Sequence, residues 1–238
     1  MLLAQRSLVA LLACPRSAPV RMADFAALDW DAYHVENAEE EWLLPYQGVL
    51  QERLREKLCG LPPSAPLLEL GCGTSSLAAK LYDDGWRDVK ALDISRHCVQ
   101  VARKRHGGKQ RPGLQFAVGD ARKLATVPDA HIGAVLDKGT LDAICCGEGF
   151  DYEAKRVSRE VNRVLAPGGR WLVLSLMPPS VLMPLLQADA EWSVLTHERV
   201  REYHLYRAHR SRKGSMLTRW HWHPVPGHSW RSRVRCPL

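Results

Sequence analysis

The chain has 238 residues, of which 46% are hydrophobic and 25% are charged, which is typical of one globular domain with short additions. The formal net charge is +7, but residues 1–23 and 211–238 together hold nine Lys or Arg and no acid, leaving 24 basic and 26 acidic residues between them. The central part therefore has no basic excess, which argues against a nucleic-acid-binding domain.

Residues 1–23 are apolar, contain Arg and Ser, and contain no acid. This composition predicts either a mitochondrial presequence or a dispensable start that precedes Met22. We therefore expect a cytoplasmic or a mitochondrial protein, depending on whether residues 1–21 are a presequence. No segment reaches the ~20 apolar residues of a membrane-spanning helix, so we expect no membrane span. The seven cysteines show no paired spacing, as expected for reduced thiols inside a cell.

Residues 24–59 are predicted to be helical, from an aromatic and acidic stretch to an amphipathic one that ends at Gly60. Strands and helices then alternate. Five strands are predicted in APLLELG, VKALDIS, LQFAVGDA, IGAVLDKG and RWLVLSLM, and three helices in SSLAAKLYDDG, RHCVQVARKRHGG and EAKRVSREVNRVLAPGG.

Two more strands are predicted beyond Pro178 and Pro179, in WSVLTHERV and REYHLYRAHR, as an antiparallel hairpin. The pattern as a whole predicts a Rossmann-like, doubly wound α/β fold with a mostly parallel seven-stranded sheet. The expected domain covers residues 24–210. Residues 211–238 are predicted to be a disordered basic tail, and their His and Trp residues lack the Cys or acidic neighbours of a zinc site.

The first predicted strand runs into a glycine turn that opens a helix. Gly71 and Gly73 allow a tight turn and close approach of a ligand, and Asp93 ends the next strand, where it can accept two ribose hydroxyls. A dinucleotide would need a third glycine where Ser76 stands. A nucleoside without phosphate needs only two, and Glu69 suits the cationic amino-acid end of a methyl donor.

The third predicted strand ends at Gly119-Asp120-Ala121. Asp120 can accept the amino group of adenine, with the backbone N–H of Ala121 facing the ring, because ligands of such sheets bind at the carboxyl ends of the strands. The alternative is that Asp120 caps a helix.

The segments ELGCGTSSL, ALDIS, GDA, LDKGTLDAI and VLAPGGRWLVLS, in this order, resemble the motif series of class I S-adenosylmethionine-dependent methyltransferases. LDKGTLDAI is similar to the block found in the elongation-factor and citrate-synthase lysine methyltransferases. The resemblance covers about residues 29–210.

The resemblance implies S-adenosyl-L-methionine as cofactor, with contacts from Gly71, Asp93, Ile94, Asp120, Ala121 and Lys138. Family members also begin with a Trp-Asp-x-x-Tyr element and a later Trp that fold over the cofactor. Trp30, Tyr33 and Trp42 resemble these, although the spacing here is shorter. Packing of an amphipathic N-terminal helix is the alternative role for these aromatic residues.

Asp137 ends the fourth predicted strand, at the topological switch point, and is predicted to be the catalytic residue beside the acceptor amine. Pairing with Lys138 or capping of the next helix is the alternative. The resemblance implies transfer of a methyl group to a lysine of a protein substrate. A small-molecule methyltransferase and a non-catalytic binding module are the alternative functions, and the oligomeric state stays open.

Overall fold

The computed structural model describes residues 28–36, 41–146, 149–188 and 190–212. The expectations for residues 1–23, and for all but two residues of the basic tail, lie outside this part of the chain. The described helices are α1 (Trp30–Glu36), α2 (Val49–Leu58), α3 (Leu77–Asp83), α4 (Arg96–His106), α5 (Thr140–Ile144), α6 (Phe150–Val164) and α7 (Pro179–Gln187). The strands are β1 (Leu67–Leu70), β2 (Val89–Asp93), β3 (Leu114–Val118), β4 (Ile132–Lys138), β5 (Leu165–Ser175), β6 (Trp192–Val200) and β7 (Tyr203–Arg210).

The seven strands form one sheet in the order β3-β2-β1-β4-β5-β7-β6. The first five pair in parallel, and β7 pairs antiparallel with both β5 and β6. This arrangement confirms the predicted mostly parallel sheet with a C-terminal hairpin. The order reverses between β1 and β4, so the topological switch point lies between those strands.

Helices cover both faces of the sheet, and successive side chains of each strand point to opposite faces. Leu67 belongs to a core cluster with residues of α2, α3 and α4, whereas Leu68 belongs to a second cluster with residues of α5, α6 and α7. β1 and β4 are buried along their whole length, as expected for central parallel strands. Among the described residues, no helix is both long enough and apolar enough to cross a membrane.

The boundaries of two secondary-structure elements differ from those predicted from the sequence. Helix does not continue through residues 41–48, because Pro45 has no backbone N–H and Gly48 has a positive φ of 52°. The segment LAPGG belongs to β5 rather than to the end of α6. Ala166 precedes a proline and avoids the helical conformation, and Leu165 pairs with Ile132 of β4.

We expect Trp171→Ala to lower the free energy of unfolding by about 3–5 kcal/mol, because a fully buried indole on β5 would leave a cavity between the sheet and α6. Urea denaturation measures the change. Tyr152→Ala is the control, since Tyr152 is 59% exposed, and we expect its effect to stay within about 1 kcal/mol. A comparable loss in both variants would contradict the assignment of Trp171 to the core.

Candidate functional site

A cavity of about 460 Å³ lies at the carboxyl ends of β1, β2, β3 and β4. Its volume is within the range of small-molecule and cofactor sites in proteins. The last residues of β2 and β4 and the segments that follow the four strands form its floor, and the remaining wall comes from residue 28, α1, residue 42, α5 and α6. A parallel sheet brings these strand ends together at one edge, as expected for a ligand site beside the switch point.

The glycine turn is closely packed at Gly71, where there is no room for a side chain. A Cβ on Gly71 would lie 2.1 Å from the Thr140 Oγ1, and the backbone of Gly71 has a φ of 60°. Thr140 is fixed there because its hydroxyl donates to the carbonyl oxygen of Leu70, at 2.7 Å. Gly73 also has a positive φ, and both glycines line the cavity. Glycine is therefore required at position 71 by sterics as well as by backbone conformation.

Asp93 connects the glycine turn to the end of β2. Its Oδ2 accepts a hydrogen bond from the backbone N–H of Gly73 at 2.7 Å, and its Oδ1 accepts one from the N–H of Ser95 at 2.8 Å. Burial raises the pKa of Asp93, and these two hydrogen bonds oppose that rise. The carboxylate is thus held rigidly at the cavity wall, where each oxygen keeps a second lone pair for a ligand hydroxyl.

Asp120 lies on the same wall and is paired with Arg122. The guanidinium donates to both carboxylate oxygens, at 2.8 to 3.0 Å. Burial acts to raise the pKa of Asp120, but the Arg122 contacts outweigh it and the net pKa lies below the usual value. Asp120 begins a turn rather than a helix, so the helix-cap alternative is wrong. Ala121 lines the cavity, as does Ile94, whose side chain is 49% exposed.

The aromatic residues of the N-terminal part meet over the cavity. Trp30, Tyr33 and Trp42 all line it, and the Tyr33 ring lies edge-on to both indoles, with centroids 5.7 and 6.5 Å away. α1 has no buried residue, so its aromatic side chains do not serve as core. Asp31 holds α1 in place, because its Oδ1 accepts from the Ser95 hydroxyl at 2.6 Å and from the His97 N–H at 3.0 Å.

Lys138 also lines the cavity, and its ammonium group contacts residues 41 and 42. The Nζ donates to Glu41 Oε1 at 2.8 Å and to the carbonyl oxygen of Trp42 at 2.6 Å. The side chain is only 5% exposed.

Glu69 and Asp137 lie behind the cavity wall rather than on it. Glu69 Oε2 accepts from the N–H of Ala78 in the first turn of α3, at 3.1 Å. Asp137 Oδ1 accepts from the N–H groups of Thr140 and Leu141, at 3.0 and 3.3 Å, and so caps α5. The capping alternative for Asp137 therefore has direct structural support, and a contact with an acceptor amine stays a prediction.

Sequence reasoning missed several residues of this region. Asp142 is fully buried behind the cavity wall, where its Oδ1 accepts from the Ser175 hydroxyl at 2.8 Å and from the Leu176 N–H at 3.1 Å, which ties α5 to the end of β5. Only its place in LDKGTLDAI could have indicated it. The cavity lining adds residues that adjoin the predicted ones, namely Leu28, His34, Cys72, Thr74, Ser75, Gly119, Arg122, Gly139, Thr140, Ala143, Ile144 and Glu153.

The lining suits a nucleoside ligand without phosphate. The two Lys or Arg side chains among the described lining residues, Arg122 and Lys138, are both paired with carboxylates. The glycine turn faces the Asp93 carboxylate instead of a cation, which favours hydroxyl and ammonium groups over a pyrophosphate. In the described ranges, no group of three or more His, Cys, Asp or Glu could hold a metal ion.

Comparison with known proteins agrees with this chemistry. Residues 68–173, which run from β1 to β5, match the family described as methyltransferase domain. Over 192 residues the chain is 34% identical to the eEF1A lysine and N-terminal methyltransferase of Xenopus laevis. Residues 68–173 are therefore a class I S-adenosylmethionine-dependent methyltransferase domain. S-adenosyl-L-methionine is accordingly the cofactor of this domain.

The chain matches its relatives over different fractions of their length. The Xenopus match includes 76% of this chain but only 26% of the relative, so the chain spans about a quarter of that protein's length. The human protein of the same name is 32% identical, with the same shares. The mouse EEF1A lysine methyltransferase 4 is 29% identical over 197 residues, which are 77% of this chain and 74% of that protein.

Solved structures share the fold at low sequence identity. One, from work on the conversion of a disulfide bond into a thioacetal group during echinomycin biosynthesis, has a TM-score of 0.62 and 18% identity, and the match covers 78% of this chain and 92% of that one. A SAM-dependent methyltransferase from Methanosarcina mazei has a TM-score of 0.54 and 15% identity, covering 71% of this chain and 100% of that one.

Three buried carboxyl groups are expected to make the stability of this domain depend on pH. Burial raises the pKa of Glu69 and of Asp137 to about 8, and that of Asp142 to about 6. For Glu69, the nearby Lys138 acts to lower the pKa and Glu41 acts to raise it. An acid with a raised pKa binds more protons in the folded than in the unfolded state, so stability falls as pH rises between the two values.

We expect the free energy of unfolding to fall between pH 5.5 and pH 8.5, and to fall less steeply in Glu69→Gln, which keeps an acceptor for Ala78 but has no proton to lose. Urea denaturation at four pH values gives the slope. Glu52→Gln, at an exposed position of α2, is the matched control. An unchanged slope in Glu69→Gln would contradict a raised pKa at Glu69.

Proposed function

We propose that this chain is a protein-lysine N-methyltransferase that uses S-adenosyl-L-methionine. The observation that carries the proposal is the match to a relative named as a lysine methyltransferase over 74% of that relative's length. The resemblance of the LDKGTLDAI block to that of lysine methyltransferases agrees with it. The relatives that match over a quarter of their length are also named for lysine methylation. We therefore propose eEF1A as the first acceptor to test.

The aromatic wall supports an amine acceptor. A lysine side chain has a pKa of about 10.4 in water, and only its neutral form can attack a methyl group. Trp30, Tyr33 and Trp42 would exclude water from an amine beside them, and desolvation lowers the pKa of an amine. The bound cofactor supplies an electrophilic methyl group on a positively charged sulfur. The contribution of the chain is to hold the two reactants in line and to exclude water.

Asp93 and the strand ends would fix the cofactor. We propose contacts from Asp93 to the ribose hydroxyls and from Asp120 and Ala121 to the adenine, with Ile94 against the ring and Gly71 and Gly73 beside the amino-acid end. Glu69 would act from behind the turn through α3. Trp30, Tyr33 and Trp42 would cover the cofactor, and Lys138 would line the cavity next to Trp42.

We expect the wild-type chain to transfer tritiated methyl from S-adenosylmethionine to a discrete protein band, in lysate or in purified eEF1A, and we expect Asp93→Ala to lose more than about tenfold of this activity. Removing the carboxylate deletes the ribose contact and releases the N–H of Gly73. Scintillation counting after electrophoresis measures the transfer, and mass spectrometry identifies the methylated residue. Asp88→Ala is the control, because Asp88 is exposed at the other end of β2.

Each alternative result of the methyl-transfer assay would indicate a different function. Label confined to the small-molecule fraction would replace the proposal with a small-molecule methyltransferase. Cofactor binding without any transfer would support a non-catalytic binding module. Methyl groups on a residue other than lysine would contradict the acceptor class.

Asp137→Asn separates the two roles of Asp137. Asparagine is as good a helix cap as aspartate, so if capping is the function of Asp137 we expect kcat to stay within about threefold of wild type. Asp137→Ala, which removes the acceptor of both N–H groups, should have a lower kcat than Asp137→Asn. A loss of more than about tenfold in kcat for Asp137→Asn, at unchanged affinity for the cofactor, would instead support a carboxylate beside the acceptor amine.

A further inference from the structure

Lys138 is a buried cation whose described hydrogen-bond acceptors both come from a distant part of the sequence. Its side chain is 5% exposed, and its Nζ donates to Glu41 Oε1 and to the Trp42 carbonyl oxygen, 97 and 96 positions earlier in the chain. A buried ammonium group that lacks a partner is strongly unfavourable. The end of β4 therefore stabilises one position of residues 41 and 42.

Glu41 joins three parts of the site. Its Oε1 also accepts a hydrogen bond from the Ser75 hydroxyl at 2.9 Å, and the Ser75 oxygen in turn accepts one from the N–H of Leu77 at the start of α3. One carboxylate oxygen thus connects the glycine turn after β1, the end of β4 and the N-terminal segment. All of these elements border the cavity.

The contacts of Lys138 with residues 41 and 42 place Trp42 against Gly139. A Cβ on Gly139 would lie 2.6 Å from Trp42 Cδ1 and 3.0 Å from Trp42 Nε1, so the indole rests directly on the backbone of residue 139. Gly139 also has a φ of 82°, which disfavours other residues. The LDKGTLDAI block therefore provides both the cation that holds residues 41–42 and the glycine that receives the indole.

The other end of the same segment is anchored without Lys138. Leu44 and Tyr46 are buried in the core, and the Tyr46 hydroxyl donates to Asp84 Oδ2 at 2.6 Å. We call residues 41–46 the cover segment. It is fixed in the core at residues 44–46 and at the cavity by Lys138, so loss of the Lys138 contact would release Trp42 and leave the core intact.

We propose that Glu41 and Lys138 are positioning residues that act as a latch, holding the cover segment across the cavity so that Trp42 forms the wall against which the cofactor and the acceptor are held. Lys138 acts through Glu41 and the Trp42 backbone rather than by contact with the cofactor. The role deepens the proposed function and rests on it only for the turnover readout.

The test compares Glu41→Gln and Glu41→Ala with Glu52→Ala, a glutamate of α2 outside the site. We expect Glu41→Ala to weaken binding of S-adenosylhomocysteine at least about tenfold by calorimetry, and to increase chymotryptic cleavage after Trp42 and Leu43 in the ligand-free protein. Glu41→Gln keeps the acceptor geometry without the charge and should fall between wild type and Glu41→Ala. Glu52→Ala should match wild type in both assays.

A double-mutant cycle with Lys138→Met tests the pairing itself. If the two residues act through each other, the affinity for S-adenosylhomocysteine falls in the double variant by clearly less than the two single effects combined, and loss of the Trp42 carbonyl contact accounts for any further decrease. Additive effects would overturn the latch, as would an affinity and a cleavage rate for Glu41→Ala within twofold of wild type. Urea denaturation identifies any variant whose fold is lost, and Glu41→Gln then carries the test.

The readouts distinguish this proposal from the proposed function. Binding of S-adenosylhomocysteine and chymotryptic cleavage require no acceptor, so they report on the latch even if no protein lysine is methylated. Where turnover is measured, the latch predicts a rise in KM for the cofactor together with a fall in kcat, because Trp42 lines the cavity in which both reactants are proposed to bind.

Discussion

The parallel pairing of β1 with β2 on one side and with β4 on the other is the constraint on which the site depends. It places Leu70 beside Leu92 and beside Asp137, so the segments that follow the three strands begin at the same level. The glycine turn, Asp93 and the LDKGTLDAI block thereby come within contact distance. Thr140, whose hydroxyl bonds to Leu70 and whose side chain fills the space beside Gly71, directly links two of these segments.

Buried polar groups then fix the geometry that the strand ends make available. Asp93, Asp137 and Asp142 each accept two hydrogen bonds, at least one of them from the backbone, and Glu69 accepts one from α3. These bonds make the turns around the cavity rigid. Burial also raises the pKa of Glu69 and Asp137 to about 8, well above the usual range of a carboxyl group.

The N-terminal part completes the cavity through charge and aromatic contacts rather than through the sheet. Asp31 binds the start of α4, and Glu41 binds Lys138 and Ser75. Both acids come from residues that lie before the methyltransferase domain match, which begins at residue 68. The cavity edge of the sheet and the aromatic wall above it thus have separate sequence origins, and they are joined by these hydrogen bonds, by the Glu41–Lys138 ion pair and by the packing of Trp42 on Gly139.

The sequence by itself predicted the sheet, the sheet edge at which the cavity lies and the cofactor class. Strand and helix periodicity and the glycine turn are local patterns. Asp93 ends β2 and Asp120 follows β3, and a parallel sheet must align the ends of these strands. Only the tertiary structure decided which of the neighbouring polar residues face the cavity. Asp137 and Lys138 are consecutive, yet one caps α5 behind the wall and the other lines the cavity and binds Glu41. Side chains of consecutive strand residues point to opposite faces, and the partners that fill each face come from segments up to 97 positions away, which no local pattern records.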